Sequence, residues 1–302
     1  MKPDKPNGVG QVFVALGKSA CYVGLFLGMQ VLVVLPAMFG AVIQVILGGG
    51  DEDDIAASML DMDVMALTLI SGLLTLAVVL AFYLIRRKKL DEALWLRPLP
   101  APALFVGASL APALYFVVSI VLMVLPASWM ESYEEASSGI ATGTVVGVIS
   151  VALVAPVVEE FIFRGLIMTR LSRVMSGWLA VLVSAAVFGL CHGEFVWFCY
   201  AFVLGAFFGF IDLRTGSILP SILGHITFNA IGQIMTFVPE TEKGTEFVIA
   251  LGVLLIVAIW LPRLDREGIA ALFHSRPAAT NPRAEWELPG TPGTYEFDPW
   301  EE

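Results

Sequence analysis

A few charged and polar side chains at helical spacing interrupt the apolar second half of this 302-residue chain. Glu159, Glu160 and Arg164 fall in one hydrophobic stretch, Phe188 and His192 in the next, and His225 with Asn229 in a later one. Residues four apart share a helix face. Glu160 can therefore pair with Arg164, Phe188 lies with His192, and His225 with Asn229. Glu159 points about 100° away from Glu160 and has no local partner. A carboxylate and an imidazole form a general acid/base set. An imidazole beside a carboxamide can donate hydrogen bonds to a developing oxyanion. Of the three histidines, only His274 lies outside these stretches, near the C-terminus.

Each residue also has a plain structural reading. The Glu160–Arg164 pair could simply lock a helix bundle, and a single membrane histidine is often a satisfied interhelical donor. Yet a charged group at the bilayer centre costs about 2.5–3.5 kcal/mol, so Glu159, His192, His225 and Asn229 together are an expensive set for packing alone. Asp212 and Arg214 close an apolar stretch and are expected to snorkel to the interface. Gly189/Gly193 and Gly205/Gly209 have the spacing that allows close helix approach and carry no chemistry. Cys21, Cys191 and Cys199 lack CxxC spacing, which supports neither a zinc cluster nor a disulfide framework. The acidic run Asp51–Asp54 reads as a solvated loop.

Membrane helices must position these groups. Hydrophobic residues make up 58% of the chain and charged residues 15%, and the mean hydropathy is +0.84. Soluble domains carry about 25% charge. Apolar stretches near 12–47, 65–85, 101–126, 142–170, 177–194, 196–212, 217–238 and 246–262 predict an all-α polytopic membrane bundle of about eight transmembrane helices. The first stretch is too long for a signal-peptide core and is expected to remain as a span. Residues 1–270 read as a single transmembrane domain with a motif-bearing core at 142–238, and 271–302 as a disordered cytoplasmic tail. Arg and Lys follow the second, fourth, sixth and eighth stretches, while acidic residues dominate the other side. The positive-inside rule then places both termini in the cytoplasm, as in an integral protein of a bacterial inner membrane. The net charge of −10 and the sparse basic residues exclude nucleic acid as a partner.

The three constellations occur in order as Glu159-Glu160-Phe161-Ile162-Phe163-Arg164, Phe188-Gly189-Leu190-Cys191-His192 and His225-Ile226-Thr227-Phe228-Asn229. Pro156 precedes the first, and the run Arg214 to Pro220 precedes the last. In these features the chain resembles the CAAX prenyl protease and bacteriocin-processing (CPBP, or Abi) family over about residues 142–232. The resemblance implies a glutamate-dependent intramembrane endopeptidase. Glu159 and His192 would activate water, His225 and Asn229 would hold the oxyanion, and Glu160, Arg164 and Phe188 would support them. It implies no cofactor, and a membrane-embedded or lipidated protein or peptide as substrate. A zinc-dependent membrane protease ranks second, because Glu, His and His could supply three ligands. A non-catalytic membrane protein ranks third, either a proton-coupled transporter or a partner-binding scaffold such as one conferring bacteriocin immunity.

Overall fold

The structure is a computed structural model that describes residues 9–87, 94–137 and 144–236. The eighth predicted span, the tail from 271 and His274 lie outside the described residues. Among those described, every regular element is a helix. Five helices are long and apolar enough to cross a membrane: α1 (Val9–Leu47), α3 (Val64–Ile85), α4 (Ala101–Val124), α6 (Val145–Leu171) and α8 (Phe195–Thr215). Two shorter helices, α7 (Gly177–Leu190) and α9 (Leu219–Met235), occupy the positions of the fifth and seventh predicted spans. The chain is thus an all-α membrane bundle, with seven of the eight predicted stretches represented by helices in the described region.

Two short helices, α2 (Glu52–Leu60) and α5 (Ala127–Ser137), join the long ones. The acidic run is the start of α2 rather than a loop. The Asp51 carboxylate accepts the amides of Asp53 and Asp54, and the Asp54 carboxylate accepts that of Asp51. This reciprocal cap satisfies orphan donors and sets negative charge on the positive end of the helix.

Glycines let the inner helices approach. On α8, a Cβ at Gly205 would lie 3.2 Å from Ala185 of α7, and one at Gly209 would lie 3.1 Å from Val181. A Cβ at Gly107 of α4 would collide with the Pro220 carbonyl of α9. The outer faces of α1, α3 and α4 carry exposed Leu, Val, Ile and Phe, as lipid requires.

Two features position the site. The first is α6, which is π-helical over Ile149–Val154 and again over Glu160–Met168. Single π turns inside α-helices recur at functional sites. The second is the turn between α8 and α9. Ser217 and Ile218 are fully buried beneath Leu94 and Trp95. The Ile218 amide donates to the Trp95 carbonyl at 3.0 Å, and the Ser217 hydroxyl to that of Arg97 at 2.8 Å. Helix α9 therefore begins inside the protein rather than at its surface.

Candidate active site

Glu159 and Glu160 sit where α6 passes from a short α-helical stretch into its second π segment. Glu160 is fully buried, and its Oε2 lies 3.2 Å from Nε of Arg164, itself 1% exposed. The predicted i, i+4 pair therefore forms, but it does not close on itself. The Arg164 guanidinium lies 4.5 Å above the Phe188 ring of α7, in space left by Gly205. Phe188 thus supports the charge from a second helix through its π face.

His225 connects both carboxylates. Its Nδ1 is 2.8 Å from Glu160 Oε1, and its Nε2 is 3.7 Å from Glu159 Oε2. The carboxylate at Nδ1 can only accept, so Nδ1 carries the proton and Nε2 faces Glu159. Glu159, without a partner on its own helix, has one on α9. Aromatic rings wall the imidazole on two sides, with Phe188 at 5.9 Å edge-on and Phe208 stacked at 6.1 Å.

His192 lies two residues past the end of α7, in a turn that Gly193 completes with φ of +76°. Only glycine takes that backbone readily, so Gly193 serves the turn and not a helix–helix contact. Nδ1 of His192 donates to the Phe188 carbonyl at 2.9 Å, which orients Nε2 as an acceptor. Its ring centroid is 4.8 Å from Phe188 and 5.2 Å from Trp197. His192 therefore shares the Phe188 edge with His225, although the two histidines lie at unequal distances from the starts of their helices. The buried start of α9 absorbs that difference.

Asn229 donates from Nδ2 to the Val151 carbonyl at 2.9 Å. Local chemistry explains why this carbonyl needs a donor. In the first π segment the Ala155 amide goes to Ser150. The residue five beyond Val151 is Pro156, which has no amide hydrogen. Asn229 supplies the missing donor, and its carboxamide keeps a second hydrogen.

Asp212 does not snorkel. It is fully buried, and neither carboxylate oxygen has a hydrogen-bond partner among the described residues. It lies beside Ser221 and within electrostatic reach of Glu160 and Arg164. The face marked by Gly205 and Gly209 offered a signal, since Asp212 continues it three residues on. Among the described residues, no group of three or more His, Cys, Asp or Glu side chains is placed to hold a metal ion.

Comparison with known proteins covers this same segment. Residues 141–231 match the family model described as Rce1-like, Type II CAAX prenyl endopeptidase Rce1-like. The Bacillus subtilis (strain 168) protein named "Putative membrane peptidase YdiL" is 28% identical over 109 residues, which cover 35% of this chain and 45% of that relative. No solved structure matches. With Glu159, Glu160, Arg164, Phe188, His192, His225 and Asn229 all inside the matched segment, the family match and the relative support assignment of this chain to the CAAX prenyl protease and bacteriocin-processing family.

Proposed function

We propose that the chain is an intramembrane endopeptidase that uses Glu159 as its general base, without a metal, on a membrane-embedded or lipidated protein or peptide. The observation that carries this reading is the approach of the Glu159 carboxylate to Nε2 of His225, fixed from the far side by Glu160. A water between these groups would lose a proton to Glu159 as its oxygen bonds to the scissile carbonyl carbon. His192, with its Nε2 lone pair available, would share in orienting that water. With a proton on Nε2 as well as on Nδ1, His225 would donate to the developing oxyanion together with the second amide hydrogen of Asn229. The proton held by Glu159 then passes to the departing amine, so that one water and one peptide bond become a carboxylic acid and an amine.

The test compares newly formed protein termini in membranes of cells expressing the wild type with those expressing Glu159→Gln, with and without a strong chelator. Termini present only with the wild type, and insensitive to chelation, are expected. Termini lost on chelation but retained in Glu159→Gln would overturn the glutamate mechanism and favour zinc.

A further inference from the structure

The reaction proposed above leaves one fully buried carboxyl among the described residues without a task, that of Asp212 on α8. Asp212 stands one turn beyond Phe208 on the same face of the helix. Phe208 packs against α9: a Cβ at Gly224 would lie 2.6 Å from its ring, and the ring stacks on His225. Asp212 meets α9 one turn nearer its start, beside both the hydroxyl and the amide of Ser221.

The first turn of α9 shows why a carboxyl belongs there. The first amides of a helix have no acceptor within it, and this helix begins inside the protein. Ile218, at the N-cap, has no side-chain oxygen to offer. The Leu219 amide reaches the Ser217 hydroxyl at 3.4 Å, Pro220 has no N–H, and the Ile222 amide donates to the Ile218 carbonyl at 3.0 Å. The Ser221 amide has no backbone acceptor among the described residues. The Ser221 hydroxyl cannot donate to Asp212, because its hydrogen goes to the Ile218 carbonyl at 2.8 Å. One buried amide and one buried carboxyl, each otherwise unanswered, stand side by side at the positive end of the helix.

We propose that Asp212 is a positioning residue for this reaction: from α8 it caps the buried start of α9 and so fixes the axial register of His225. Its bearing on the reaction rests on the glutamate mechanism above. Ser221 and His225 are four residues apart on one face of α9, about 6 Å along the axis. A cap on the first therefore sets the height of the second. The bond from His225 Nδ1 to Glu160, at 2.8 Å, tolerates little displacement, since such bonds span only about 2.7–3.2 Å. Without the cap, the start of α9 is free to shift and the imidazole moves off both glutamates. The cap needs an acceptor oxygen, which Asn keeps and Ala removes. An idle buried carboxyl would behave in the opposite way, because removing it relieves an unsatisfied group.

The test is magnetic resonance on the full-length protein in detergent with isotope-labelled histidines. The chain has three histidines, so the downfield ring proton that His225 shares with Glu160 is assigned as the signal lost in His225→Gln. That signal is expected in the wild type and in Asp212→Asn, and shifted or absent in Asp212→Ala. Formation of new protein termini should fall about tenfold in Asp212→Ala, as the loss of one cap is drawn from the productive register, and far less in Asp212→Asn. Thermal unfolding is measured alongside. An unchanged signal in folded Asp212→Ala overturns the assignment, and so does an Asp212→Asn protein as impaired as Asp212→Ala. A higher melting temperature in Asp212→Ala also overturns it, as the mark of an idle carboxyl. Where Asp212→Ala does not fold, Asp212→Asn decides alone, by keeping or losing the signal. The expected pattern of signals without any wild-type termini removes the protease and keeps the cap, whereas wild-type termini with a signal indifferent to Asp212 do the reverse.

Discussion

At the scale of single residues, the two carboxylates should respond differently to the same change. Glu159→Gln keeps shape and removes the base, so cleavage should fall by about 10²–10⁴, the range of general acid–base catalysis, with folded yield unchanged. Glu160→Gln leaves Arg164 buried and uncompensated, which typically costs about 3–5 kcal/mol. Its folded yield should drop together with its rate, as size-exclusion recovery would show. Asn229 has two duties that a double-mutant cycle separates. Asn229→Ala should cost about 10²–10³ in rate as a lost oxyanion donor and about 1–3 kcal/mol as an orphaned Val151 carbonyl. Adding Pro156→Ala restores a backbone amide near that carbonyl. Stability should recover in the double variant while rate does not. Recovery of both would make Asn229 a structural residue only. The sequence shows the Glu160–Arg164 pair through its spacing alone. It does not show that His225 serves both glutamates, because that depends on how three helices pack. Nor does spacing reveal the bond from Asn229 to Val151, which arises from π-helical register and a proline 73 residues upstream.

Among the elements, α8 depends on its glycines for more than packing. A Cβ at Gly205 would lie 3.2 Å from both Arg164 Nη2 and Phe188. Gly205→Ala should therefore push the guanidinium off the ring and cost about 1–3 kcal/mol, typical of overpacking, with loss of activity exceeding that of Gly209→Ala. Thermal unfolding in detergent together with cleavage rates would check the order. Long apolar helices are legible in the sequence because lipid permits few alternatives, and α1, α3, α4, α6 and α8 fall close to the predicted spans. The end of α7 and the buried start of α9 are not legible to the same degree. His192 appears helical by its spacing from Phe188, although Gly193 marks a turn. The burial of Ile218 depends on a segment more than a hundred residues earlier, which no local pattern announces.

For the whole molecule, the acidic helices α2 and α5 should share one side of the membrane, opposite the basic end of α3. A reporter fused after Arg87 should register cytoplasm and one at Glu134 the other side. Cytoplasmic signal at Glu134 would refute that orientation. The shortness of α7 has a separate consequence. Its 14 residues extend about 21 Å at helical rise, while an average hydrocarbon core is about 30 Å thick. The lipid beside α7 must thin, or the turn carrying His192 must be drawn below the headgroups. Deformation costs a fraction of a kcal/mol per Å, enough in sum to tune a catalytic group placed at that boundary. Purified protein in phosphatidylcholine vesicles of increasing acyl-chain length should be most active in the thinnest stable bilayers, and a flat profile would contradict this. An enzyme built this way would read the thickness of its host membrane, so that fatty-acid composition, and the growth temperature that alters it, would set the rate of proteolysis without any dedicated regulator.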